Sequence, residues 1–107
     1  MAALTKMTDE ELLNKIKKVL SVTGDFHDDA LSVLIMDVKF YLMDAGVHEV
    51  AVNSKAAVGA IARGVTDLWN LGSGTVNLSS FFKERAAQLA LSYPSDEEIK
   101  HEEAEDV

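Results

Sequence analysis

The chain contains no cysteine, which removes a disulfide framework, a thiolate metal site and a cysteine nucleophile at once. Its one proline, Pro94, stands where the last helical pattern stops. No apolar run reaches the roughly 20 residues that a bilayer requires, and the N-terminus lacks a basic region followed by an apolar stretch and a cleavage site. A soluble, untargeted chain is therefore expected. A basic stripe is missing too, and gripping phosphate depends on clustered Lys and Arg. The one basic cluster, Lys15, Lys17 and Lys18, reads as the solvated face of a helix.

Catalytic constellations are also missing. His27, His48 and His101 lie in three separate places. The run from His101 to Glu105 imitates the start of H-E-x-x-H, but Glu105 stands where the second histidine belongs. Asp25, Asp28 and Asp29 have neither the length nor the glycine position of a calcium loop, and read instead as helix capping and dipole complementarity. Gly72-Ser73-Gly74 lacks the Lys-Ser/Thr of a phosphate-cradling loop, and no nucleophile elbow occurs. The expectation is a non-enzyme with no catalytic residues, no metal site and no cofactor.

What remains is an acidic chain of 107 residues, one domain in size and only modestly stable alone, so that oligomerisation would help it. Its net charge of −8 is uneven. Residues 94–107 carry seven of the acids against Lys100, so the body is nearly balanced and the tail supplies the acidity. That tail, low in hydrophobicity and dense in negative charge, has the composition of a segment disordered until bound.

Four main helices are expected, near residues 9–21, 25–45, 54–71 and 80–93, after a disordered start from Met1 to Met7. Thr8 with Glu11 makes a capping box for the first, whose apolar stripe is Leu12, Leu13, Ile16, Val19 and Leu20. Asp25 is the expected cap of the second, and Gly46 its C-terminal stop. Residues 47–53 alternate weakly and read as a loop. Ser54 caps the third helix, whose first half is built of small residues from Ala56 to Gly64, so a close-packed neighbour is expected there. Ser79 or Ser80 opens the fourth, with Phe82, Ala86, Leu89, Ala90 and Tyr93 inward.

Helix two has two apolar stripes. Leu31, Leu34, Ile35, Val38, Leu42 and Ala45 form one; Val33, Met36, Phe40 and Met43 form another on roughly the opposite side at about 100° per residue. Either this helix is sandwiched centrally in its own domain, or the second stripe faces a neighbouring subunit. The stretch from Trp69 to Leu89 poses the same choice, because Trp69, Leu71, Val76, Leu78, Phe81 and Phe82 surround the Gly72-Ser73-Gly74 triplet. Apolar surface gains about 25 cal/mol per Å² when removed from water, so such a loop caps its own domain or docks on another chain.

The same stretch carries a resemblance. Leu68-Trp69, a Gly/Ser loop, then L-S-x-F-F-K-x-R-x-x-Q-L from Leu78 to Leu89 resembles the small head-tail connector (head-completion or adaptor) proteins of long-tailed double-stranded DNA phages and prophages. Leu12 to Leu20 followed by Val22-Thr23-Gly24-Asp25, then His27-Asp28-Asp29 and Leu31 to Gly46, is similar to that family's first helix, turn and long second helix. The resemblance spans roughly residues 8–93; the small-residue segment from Ala56 to Gly64 and the acidic tail depart from it.

With the helix pattern it gives an all-α connector domain over 1–93 with a long loop between helices three and four, while the acidic tail over 94–107 is read from composition alone. The resemblance implies a structural role. It further implies a dodecameric ring under the portal in the virion neck, assembled in the host cytoplasm. Such a ring binds the portal protein and the next neck or tail-completion protein, and DNA passes through it without specific binding. No membrane partner is implied. Val33, Met36, Phe40, Met43, Leu71, Val76, Leu78 and Phe81 are the candidate interface residues. The alternative is a small acidic regulatory or antitoxin-like helical protein that binds a basic partner through its tail.

Overall fold

The computed structural model describes residues 4–71 and 79–94, and the chain over them is all-α. Five α-helices follow in order: α1 (Asp9–Leu20), α2 (Asp28–Asp44), α3 (Glu49–Val52), α4 (Val58–Leu71) and α5 (Ser80–Ser92), with a 3₁₀ turn (Lys55–Ala57) before α4. The four longer ones are the bundle expected from periodicity. No helix among the described residues is long and apolar enough to cross a membrane.

The helix ends follow from local chemistry. Thr8 and Glu11 form the full capping box: the Glu11 backbone N–H donates to Thr8 Oγ1 at 3.1 Å, and the Thr8 N–H donates to Glu11 Oε1 at 3.1 Å. At the other end of α1, Ser21 takes the left-handed conformation (φ 58°) and the Val22 N–H reaches back to the Lys17 carbonyl. α2 stops the same way with a glycine, since Gly46 (φ 102°) lets the Val47 N–H donate to the Leu42 carbonyl at 3.0 Å. Ser79 caps α5 by accepting from the Phe82 N–H.

Several boundaries differ from expectation. α2 begins at Asp28, after a turn in which Asp25 contributes only its backbone carbonyl to the Asp28 N–H; His27 precedes the helix without a side-chain cap. Residues 47–53 are not a loop throughout, because the His48 ring nitrogen Nδ1 accepts from the Val50 N–H and starts the four-residue α3, which buries Ala51 and Val52. Ser54 caps the 3₁₀ turn rather than α4 itself. The N-terminal segment is docked from Leu4 onward: Met7 is buried, its N–H donates to the Asn53 carbonyl, and the Lys55 N–H donates to the Thr5 carbonyl.

The central helix is α4, not α2. α4 packs against α1, α2 and α5, and Ala60, Ile61 and Val65 are wholly buried there. The run of small residues permits this, for a Cβ on Gly64 would fall within 3.0 Å of Phe82 and Val38 side-chain atoms. Leu12, Ile16, Leu31, Val38, Leu42 and Phe82 complete the core from the surrounding helices. Because α4 takes the middle, α2 is left with one face against the bundle and the other open.

Two ties close the turn end of the bundle. Lys17 Nζ lies 2.7 Å from Asp28 Oδ1, joining α1 to the start of α2, so Lys17 is not simply solvated. Asp67 accepts from the Ser79 N–H through Oδ2 and pairs with Arg63 through Oδ1, joining α4 to the α5 cap. The other end is closed by residues 47–55, which pair with the N-terminal segment on one side and with Tyr93 and Pro94 on the other.

Candidate interaction surface on helix α2

The second stripe of α2 lies on its open face. Val33 is 58%, Met36 56% and Phe40 55% exposed, while Leu31, Ile35, Val38 and Leu42 face the core. Two members of the expected stripes depart: Met43 is half-buried and packs against the core, and Ala45 is exposed rather than inward. Val19, expected in the α1 core stripe, is also exposed. Ala45 follows the last residue of α2 as its C-cap, beyond the helix, and Val19 stands at the edge of the α1 stripe.

Charge frames the apolar strip with one sign. Asp29, Asp37 and Asp44 are exposed and, at about 100° per residue, share an arc of roughly 100° with Val33, Met36 and Phe40. The nearest α2 cation is turned away from that arc. Lys39 Nζ sits 2.9 Å from Asn53 Oδ1 and 3.3 Å from Asp9 Oδ1, and its side chain is largely buried. Beside it a groove of about 290 Å³ runs between α1 and α2, lined by Leu13, Ile35, Met36 and the Lys39 stem, with Asp9 and Asn53 at its polar end.

A second exposed feature stands at the turn end. Phe26, 88% exposed, meets His27 edge-on at 4.9 Å between ring centroids, and His27 meets Trp69 edge-on at 5.1 Å. Sequence reading did not single out Phe26. A lone aromatic between Asp25 and His27, in a turn otherwise built of small and polar residues, was the available signal.

The remaining candidates are apart from this surface. Val76 and Leu78 lie outside the described residues, as do the side chains of Leu71 and Phe81. The acidic tail beyond Pro94 lies outside them too. His27 and His48 are not brought together: one belongs to the aromatic row, the other is buried at the start of α3. Among the described residues no group of three or more His, Asp or Glu side chains converges as metal ligands would. The Glu11 carboxyl is held below the usual value by hydrogen bonds from the Thr8 backbone and hydroxyl, with Lys55 and Lys15 adding a favourable field.

The surface is a helix presenting an apolar strip with an acidic frame, a form suited to contact. No family model, curated protein or solved structure matches this chain.

Proposed function

We propose that this protein is a structural neck component of a phage or prophage virion, forming a ring under the portal that extends the DNA channel and joins head to tail. The observation that carries this reading is the open face of α2. Val33, Met36 and Phe40 stand more than half exposed on a helix of a folded bundle, and covering such a strip gains about 25 cal/mol for each Å² removed from water. The resemblance of Leu78 to Leu89 and of the Val22-Thr23-Gly24-Asp25 turn to connector proteins supplies the biological setting. Head-to-tail contacts that close by rotation make a ring without loose ends. A mildly acidic body with no surplus of cations suits a channel through which DNA must slide without sticking.

Sedimentation velocity and electron microscopy of the purified chain, alone and mixed with its candidate portal, test this directly. Closed rings, formed alone or on the portal, are the expected result. A monomer or dimer indifferent to the portal would overturn it and favour the acidic regulatory reading. In the phage, changing Val76 and Leu78 to Ser should leave DNA packaging intact while heads fail to retain DNA or to join tails. Normal virion yield from that mutant would count against a connector.

A further inference from the structure

The α2 face carries acids and no cation, and a complement lies on the second half of α1, where Lys15 and Lys18 outnumber Asp25 of the adjoining turn. We propose that the α2 face of one copy receives the Lys15–Lys18–Phe26 corner of a second copy of this chain. This rests on the self-assembling reading above and names the two surfaces that mate.

Three observations select this occupant. The first is charge. Asp29, Asp37 and Asp44 frame the apolar strip, and the α2 cation beside it, Lys39, is committed to Asp9 and Asn53. A complement must be basic and apolar together. On α1, Lys15 and Lys18 are exposed next to Val19, which is itself more than half exposed, and their aliphatic stems can lie on apolar surface while the ammonium groups reach outward. The outer face of α5 offers Leu91, but Glu84, two turns before it, shares that face and would meet the three acids with like charge.

The second observation excludes the symmetric pairing. Two copies of α2 laid face to face about a two-fold axis would set three aspartates against three aspartates, and like charges brought together at an interface are strongly unfavourable. The contact is therefore between unlike surfaces. Such contacts repeat from copy to copy and close into a ring when the rotation allows.

The third is shape. Phe26 is the most exposed large apolar side chain among the described residues, and it projects from a turn tied down by the Lys17–Asp28 ion pair. The groove beside Met36, about 290 Å³ and walled by Leu13, Ile35 and the Lys39 stem, borders the α2 face and has room for an aromatic ring. A ring fixed on a short turn loses little freedom on docking, which favours it as an anchor.

Charge exchange tests the pairing in the full chain. Lys15→Glu with Lys18→Glu should weaken assembly at least tenfold in sedimentation at low salt, and so should Asp37→Lys with Asp44→Lys. The chain carrying all four changes, and the equimolar mixture of the two double variants, should assemble again. Asp29 is left in place because it serves the α2 N-terminus. Phe26→Ser gives an independent reading, an equal loss of assembly with helicity unchanged by circular dichroism. If wild type assembles and neither charge reversal nor Phe26→Ser alters it, the ring reading stands and this pairing is wrong. Loss without rescue in the fourfold chain means that these surfaces meet some other basic or acidic partner, which also overturns it. Wild type that stays monomeric at every concentration, with or without portal, overturns both readings.

Discussion

Phe82 of α5 closes over Gly64 of α4 so tightly that a Cβ added to the glycine would fall 2.8 Å from the Phe82 ring atom Cε1. On the other side the same Cβ would meet Val38 Cγ1 at 2.9 Å. Both neighbours are buried, so neither can swing into solvent to make room. The close approach of three helices at one point explains why the central helix tolerates a residue of poor helix propensity there.

Gly64→Ala is therefore expected to destabilise. Overpacking costs about 1–3 kcal/mol, against the roughly 1 kcal/mol of helix propensity that alanine restores. Thermal unfolding should show a melting temperature several degrees lower. Gly59, in the same helix, is exposed with nothing within 4 Å of an added Cβ, so Gly59→Ala should raise the melting temperature. Equal responses at the two sites would refute the packing argument.

Ser21 holds a left-handed backbone, φ 58° and ψ 38°, at the end of α1. Glycine adopts that conformation without the Cβ clash, so Ser21→Gly is expected to stabilise by about 0.5–1 kcal/mol. Chemical denaturation should move to a higher midpoint with an unchanged slope. A fall in midpoint would mean that the serine side chain has a role no hydrogen bond accounts for.

The Thr8–Glu11 box makes a prediction in pH. Glu11 is lowered from its ordinary 4.5 by the hydrogen bonds from Thr8, so its contribution to stability is present above 4.5 and is lost as pH falls through the folded value. Titration of the Glu11 carboxyl by NMR should show a midpoint below 4.5. Thr8→Ala removes the hydroxyl and keeps the backbone N–H, so the midpoint should rise part of the way and the chain should lose about 1 kcal/mol of cap stability. No movement of the midpoint would show that the cap is not formed in solution.

His48 caps α3 through Nδ1, which must therefore be the unprotonated nitrogen of the ring, and the side chain is buried. His48→Ala removes the cap and opens a hole, so a loss of about 2–4 kcal/mol is expected, with faster amide exchange at Val50 to Asn53. His48→Asn restores an acceptor of the preferred type and should recover part of that loss. An alanine variant as stable as wild type would show that the ring merely fills space.

What sequence reading could reach was decided by range. Thr8 with Glu11, Gly46 and Ser79 act within four residues of the helix end they define, and each stands where local spacing put it. The two stripes of α2 were legible for the same reason. Whether the second stripe is covered within the domain was not, because that depended on α4 rather than α2 taking the centre, a matter of packing between segments far apart in the chain. The docking of Leu4 to Met7 against residues 53–55 and the tie from Lys39 to Asp9 escaped in the same way, since no periodicity reports a partner about 30 to 50 residues away. α3 escaped for the opposite reason: four residues are too few to show a period, and histidine is an uncommon cap.

The segment from Val47 to Lys55 receives both extremities of the described chain, Thr5 to Met7 through Asn53 to Lys55, and Tyr93 to Pro94 through Val47 and His48. Leu4 and Pro94 thus emerge at one pole of the bundle, and the Ser21–His27 turn occupies the other. A flexible linker of modest length between them would close the polypeptide into a loop, and fresh ends could be opened elsewhere on the surface. Circular permutants joined from Pro94 to Leu4 should be attainable without redesigning the interior of this domain.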